Sequence, residues 1–330
     1  MNAPAPWPRI GLHLSAEELA PGRIVDAARR AEKAGFHFVT VSDHFHPWTR
    51  RQGQSPFVWS VLGAIAQVTE RVGIGTAVTC PTVRTHPVII AQAAATTAVM
   101  ADGRFFLGVG TGERLNEAIL GDPWPPAVVR RDMLEEAVEI MRRLWTGEMV
   151  RAHHGPHYVV EGARLFTRPE TPPDVVVSGF GPHAARLAGR IGDGYMHVAP
   201  ETELVAAFRE AGGAGRPCYA KLDTCVADDD TTARRIAHET WPTSALGGEL
   251  GQQLALPEHY EQATASVEED EVAEAIVCSG DPQRHLDSIL ELAEAGFDHV
   301  LVQQCGQDQE RFIRFYADEV LPRAQRSDAA

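Results

Sequence analysis

The feature that most constrains this chain is an alternation of two periods. Short apolar, β-branched runs recur along it, separated by longer segments with the three-to-four-residue spacing of amphipathic helices. The spacing predicts strands over 9–14, 37–43, 72–78, 105–110, 175–179, 195–199, 219–227 and 299–305. It predicts helices over 17–33, 87–100, 131–145, 182–191, 232–240 and 282–295, and a last one over 309–323. Eight strand-then-helix units in 330 residues are what a (β/α)8 TIM barrel requires. The rival is an open doubly wound sheet, which begins with a GxGxxG turn after its first strand. Here that turn reads Leu14-Ser15-Ala16-Glu17. The glycine-rich GVGTGE at 108–113 follows the fourth strand and departs from that fingerprint. Stretches 47–57, 149–173 and 245–265 read as insertions, the second with a small hairpin around 157–160. No boundary divides the chain, so one domain over 1–330 is expected.

Charge narrows the function. Forty-five acidic residues against 30 basic give a net charge of −15, which disfavours nucleic acid, because neutralising phosphates needs basic clusters. No run of 18 apolar residues is present, so no membrane span is expected. The start, MNAPAPWPRI, lacks the order of a signal peptide. Five cysteines form no CxxC pair and read as free thiols of a reducing cytoplasm. Lys33 and Lys221 are the only lysines.

In such a barrel, function collects at the carboxyl ends of strands. After the first strand, Ser15 and Glu18 fit a capping box, with Glu17 as a first-turn acid; alternatively, Glu17 is a carboxylate at the barrel mouth. After the second come Asp43, His44, His46 and Trp48. Polar groups ending an apolar strand are costly unless they meet a ligand, and an imidazole there suits a general base. His46 reads as solvated, and Trp48 offers a flat wall. The third strand carries Gly73 and Gly75, then Thr79-Cys80-Pro81; glycines in a strand permit a bulge or close approach. The fourth leads into Gly110, Thr111, Gly112, Glu113 and Asn116. The fifth leads into Phe180, Gly181 and His183 at a helix start, a place for a phosphate. The run His153-His154-Gly155-Pro156-His157 lacks partners at ligand spacing, so no metal is expected.

SDHFHPW at 42–48, GTAVTCPT at 75–82, FLGVGTGERLNE at 106–117, MRRLW at 141–145, AGRIGDGY at 188–195 and DQERF at 308–312 together resemble the luciferase-like flavin and deazaflavin superfamily. The branch they most resemble holds the coenzyme F420-dependent glucose-6-phosphate and alcohol dehydrogenases. The resemblance covers nearly the whole chain and is densest over 9–195. It implies a (β/α)8 barrel, a homodimer, and deazaflavin in the barrel mouth taking a hydride at C5. It implies catalytic roles for His44 on the substrate hydroxyl, Trp48 as a wall, Glu113 as proton partner of the deazaflavin, and Glu17 as a second carboxylate. It implies that Asp43, Thr111, Gly112 and Asn116 touch the cofactor, as do Phe180, Gly181, His183 and Ala184 near its phosphate. A non-proline cis peptide is implied at Ala77–Val78. Cys80 stands where the family has threonine, at another cofactor contact.

One departure bears on substrate. Phosphosugar members clamp a phosphate with two lysines and an arginine on the later loops. Here those regions read Val198-Ala199-Pro200-Glu201-Thr202 and Tyr260-Glu261-Gln262-Ala263. Arg284 and Arg216 are candidate replacements, without a cluster. A dianion would meet repulsion. The expected reaction is thus F420-dependent hydride transfer on an uncharged alcohol or non-phosphorylated sugar, not glucose-6-phosphate. The alternative is an FMN-dependent luciferase-like monooxygenase. A non-catalytic cofactor carrier is disfavoured by the retention of Glu17, His44, Trp48 and Glu113 together.

Overall fold

The computed structural model describes residues 7–327, with no account of the side chains of 325–327. The stretch 1–6, which carries most of the leader expectation, lies outside the described residues. Eleven strands are present among the described residues: β1 (Arg9–Leu14), β2 (Phe38–Val41), β3 (Gly73–Thr76), β4 (Phe105–Val109), β5 (Val150–His154), β6 (Val159–Ala163), β7 (Val175–Ser178), β8 (Gly194–His197), β9 (Cys218–Cys225), β10 (Val277–Cys278) and β11 (His299–Gln304). β1, β2, β3, β4, β7, β8, β9 and β11 pair in that parallel order, and β11 returns to β1, closing the barrel. These are the eight strands the spacing predicts. β5 and β6 form the expected antiparallel hairpin outside it. β10 was not foreseen. It is two residues long and pairs only with the upper end of β9, at Thr224 and Cys225.

Strands buried on both faces read as continuous apolar runs, and that is the pattern here. The outward faces of Ile10, Leu12, Val39, Val41, Ile74, Val300 and Val302 join the helices' apolar stripes in one core. The inward faces of Phe38, Val176, Met196, Tyr219 and Leu301 form a second cluster inside the barrel, with Phe106 against it. Phe38 and Phe106 both pack on the Tyr219 ring, at 5.7 and 5.4 Å between centroids. These rings need room. A Cβ at Gly75 would sit 2.3 Å from the Phe106 ring, and one at Gly108 would sit 2.0 Å from the Thr76 carbonyl oxygen.

Helices Pro87–Met100 and Pro182–Ile191 have the expected bounds. The helix expected over 17–33 does not. It starts at Pro21 behind Ala20, with no side-chain cap, and residues 16–19 form a turn. The capping-box reading of Ser15 and Glu18 is therefore wrong. Proline at the first helical position suits a start there, since its missing N–H is unpaired in any case. Helix Val58–Val68 follows the 47–57 insertion. The 245–265 insertion holds two short helices, Leu250–Gln253 and Pro257–Ala263. No helix among the described residues is long and apolar enough to cross a membrane.

Candidate active site

The turn after β1 exists because of what Ser15 and Glu17 bind. Glu17 is 1% exposed. Its Oε2 accepts from the hydroxyls of Ser15 and Ser42, each at 2.7 Å, and Ser42 Oγ accepts from the Ala16 N–H at 2.9 Å. These bonds tie the end of β1 to the end of β2 and leave no reason for Ser15 to cap a helix. Glu17 Oε1 lies 3.1 Å from His44 Nδ1, an ion-pair distance off the hydrogen-bonding direction. Burial works against charge on Glu17. His44 first, then the two hydroxyls, outweigh it, so the carboxyl is held below its ordinary range. On the other side, His44 Nε2 lies 3.6 Å from Glu113 Oε1. The Trp48 ring meets the imidazole edge-on at 4.9 Å and in turn packs on Tyr260 at 5.3 Å.

A second network braces this one. Asp43 takes the Thr79 hydroxyl at 2.8 Å on Oδ2 and the Arg84 guanidinium at 2.9 Å on Oδ1. Arg84 Nε lies 3.4 Å from Glu117 Oε1, and the Arg84 N–H donates to Glu117 Oε2 at 2.9 Å. Burial alone would depress the guanidinium, but Asp43 and Glu117 keep it charged. Burial pushes Glu117 up to about 7 in spite of Arg84. Burial, then Glu117 and Glu113, pushes the Cys80 thiol well up, so it stays protonated.

Asn116 joins the two networks. Its Oδ1 accepts from Phe45 N–H at 2.7 Å and His46 N–H at 2.8 Å, and its Nδ2 donates to Glu113. His46, expected in solvent, is half-buried, with Nδ1 3.0 Å from the Leu115 carbonyl oxygen. Below Glu17, Glu18 accepts from Trp241 Nε1 and, at 2.7 Å, from Gly306 N–H. Burial raises Glu18 to about 7.

The structure thus gathers Glu17, Asp43, His44, Trp48, Cys80, Glu113 and Asn116 around one mouth. Asp43 and Asn116 are nearly buried, and their side chains hold protein rather than face outward. Thr111 and Gly112 line the loop before Glu113 and are partly exposed. The peptide Ala77–Val78 is cis, at the bulge that continues β3. Phe180, 57% exposed, and His183 lie at the open start of helix Pro182–Ile191. Gly181 caps that helix without a side-chain bond, and a Cβ on it would meet nothing within 4 Å. Free N–H groups at an open ten-residue helix start fit a cofactor phosphate. Thr79, Arg84, Glu117 and Trp241 were missed, and Glu18 was read only as part of a cap. Arg84 alone carried a signal, as a charge eight residues past the end of β3 at Thr76. A cleft of about 740 Å³ between Phe45, His46, Trp124 and Leu256 lies beside this mouth, and none of Glu17, His44, Trp48 or Glu113 lines it. Among the described residues no cluster suits a metal; His153 Nε2 pairs with Glu136 Oε1 at 2.8 Å.

Residues 7–299 match the family described as luciferase-like monooxygenase. The chain belongs to that family. Within it, the F420-dependent glucose-6-phosphate dehydrogenase of Beutenbergia cavernae is 37% identical over 96% of this chain and 97% of its own. That of Microbacterium testaceum is also 37% identical, with the same coverage. A solved F420-dependent secondary alcohol dehydrogenase, in complex with an F420-acetone adduct, superposes with a TM-score of 0.89 at 31% identity, covering 96% and 98% of the two chains. The F420-dependent tetrahydromethanopterin reductase of Methanopyrus kandleri, at 23% identity and a TM-score of 0.76, shares the fold.

The site of this luciferase-like chain has a testable proton inventory. Glu18 and Glu117, each raised to about 7 from 4.5, keep protons in the folded chain that the unfolded chain releases between those values. Their contribution to stability is therefore full below about pH 4.5 and is lost as pH rises through 7. Carboxyl ¹³C NMR of glutamate-labelled protein should show two resonances with midpoints near pH 7, assigned by Glu18→Gln and Glu117→Gln, while Glu17 stays ionised to below pH 4.5. Ordinary midpoints for both would contradict this picture.

Proposed function

We propose that the chain is an F420-dependent oxidoreductase moving a hydride between a hydroxyl-bearing carbon and C5 of the deazaflavin, with an uncharged alcohol or non-phosphorylated sugar as substrate. The observation carrying this reading is the His44 imidazole between two carboxylates, 3.1 Å from Glu17 and 3.6 Å from Glu113, in a chain whose relatives are named for F420. The deazaflavin, when bound, supplies the hydride chemistry. The protein handles the protons. A hydride leaves a carbinol carbon as its hydroxyl loses a proton, so a base within reach lowers the barrier. Glu17, ionised and held by two hydroxyls, puts negative charge 3.1 Å from His44 Nδ1, which favours a proton on that nitrogen and leaves Nε2 to accept. Glu113, held by Asn116, exchanges a proton on the cofactor side. Trp48 walls the reacting carbon from water. Ala77, Val78, Cys80, Thr111 and Gly112 bear on the ring, and Phe180, Gly181, His183 and Ala184 on the phosphate. Asp43 and Asn116 serve the cofactor by holding the loops that carry it.

Charge argues against a phosphosugar. Arg50 is matched by Glu261 at 2.5 Å and Glu258 at 3.7 Å. Arg216 donates to the carbonyls of Gly189 and Gly192, ahead of β9 and away from the mouth. Arg284 faces Asp230 at 3.5 Å. Glu201 lies 3.5 Å from His197, where a clamp would need a cation.

The same reading makes 1–330 one catalytic domain, working in the cytoplasm as a homodimer. All five cysteines are free and buried, as suits a reducing compartment. Helix Pro87–Met100 carries apolar side chains on both faces: Ile90, Ala91, Ala94 and Ala98 are buried, while Ile89, Val99 and Met100 are exposed, with Gln92 and Thr96 the polar residues among them. A helix apolar on its outer face needs a partner.

Absorbance screening with F420 should show reduction by secondary alcohols or free sugars, tighter binding of F420 than FMN, and no useful turnover of glucose-6-phosphate. Equal or tighter FMN binding overturns the cofactor assignment, and efficient oxidation of the sugar phosphate overturns the substrate assignment. Light scattering should give twice 35.9 kDa, falling to the single-chain mass in Ile89→Asp/Met100→Asp; a wild-type monomer at micromolar concentration contradicts the dimer.

A further inference from the structure

The lower interior of the barrel is apolar, but one quadrant of its upper interior is not. Alternation along a strand puts Tyr219, Lys221 and Asp223 on the inward face of β9, and Leu301 and Gln303 on that of β11. Register then sets His13, Gln303 and Asp223 side by side on β1, β11 and β9. Thr40 extends the row, its hydroxyl 2.9 Å from His13 Nδ1. Lys221 Nζ lies 2.6 Å from Asp223 Oδ1 and 5.3 Å from the centre of the Trp241 ring. Trp48 packs against the cluster that contains Trp241, so the row lies on the His44–Trp48 side of the mouth.

Packing does not account for this row. A charged pair turned into a barrel adds little to stability over an apolar pair of the same volume. Lys221 and Asp223 nevertheless keep 20% and 23% of their side chains exposed, so the pair is reachable from the mouth. Gln303 is fully buried, and its Oε1 has no hydrogen-bond partner. A buried amide oxygen left unmet is costly, and a ligand donor would meet it. Burial first, then Lys221, pushes His13 down to about 3, so it is a neutral imidazole and Lys221 is the row's cation. Burial opposes the charge on Lys221, and Asp223 overrides it.

We propose that Lys221, Asp223 and Gln303 read a second hydroxyl on the substrate, adjacent to the carbon that His44 serves, so that the enzyme prefers vicinal diols and sugars to simple alcohols. This rests on the oxidoreductase reading above. A hydroxyl both donates and accepts, and the row offers both complements: an ammonium that donates, and a carboxylate and an amide oxygen that accept. The ammonium is already balanced by Asp223, leaving no surplus charge for a phosphate or carboxylate. A plain alkyl group lying on the row would leave its polar groups unmet, and sites built for a hydroxyl reject analogues that lack it.

The test compares butane-2,3-diol with butan-2-ol in F420 reduction by wild type, Lys221→Met and Gln303→Leu. Wild type is expected to favour the diol by about tenfold or more in kcat/KM, mostly through KM, with the ratio falling toward one in both variants. Gln303→Leu removes an unmet oxygen at nearly constant volume, so it decides the matter if Lys221→Met fails to fold. Titrations of tryptophan emission with both compounds, with and without F420, read the same preference without turnover, through Trp241. A protein that keeps the diol preference but fails to bind F420 overturns the cofactor reading and upholds the row. A wild type without diol preference, or a preference unmoved in the folded variants, overturns the row.

Discussion

The contact between Glu17 and His44 is the one on which the rest of the site depends. A carboxylate this deeply buried stays ionised only if its surroundings replace water. Ser15 and Ser42 supply two hydroxyl donors and His44 a polar ring, and each comes from the end of a barrel strand. Satisfying Glu17 therefore fixes the first two strand ends relative to each other, prevents Ser15 from starting a helix and delays the first helix to Pro21. It also places negative charge beside one imidazole nitrogen while the far nitrogen lies 3.6 Å from Glu113.

The second brace makes that geometry rigid. Asp43, Arg84 and Glu117 link the ends of β2 and β3 to the short helix that follows β4, and Asn116 pins the Phe45–His46 backbone to the same helix. Buried polar groups in such a chain hold one another in place only when nearly all are paired. Consecutive strands thus deliver separate pieces of one constellation. The barrel below them supplies a floor of packed aromatic rings, and the β1–β11–β9 quadrant departs from it.

Much of this could be read from the residues. All eight barrel strands were legible, because strands buried on both faces leave uninterrupted β-branched runs. Asp43 and His44 stood out as polar residues ending such a run. Glu17 did not, because Ser15-Ala16-Glu17-Glu18 has the same local pattern whether it caps a helix or lines a pocket, and what decides between them is Ser42, far away in sequence. Glu117, Glu18 and Trp241 were illegible for a related reason: each matters through a partner on another loop, and local spacing carries no trace of it. The two-residue β10 is too short to leave a period. The scarcity of lysine gained meaning once the structure showed Lys221 matched with Asp223 inside the barrel.

The most direct test of His44 as the proton acceptor is the single-turnover rate of F420 reduction by a secondary alcohol in His44→Ala, with and without added imidazole. A loss of about a hundredfold or more, with F420 still bound and the rate partly restored by imidazole, is the expected result. A variant that reduces the cofactor within a few-fold of the wild-type rate would contradict it.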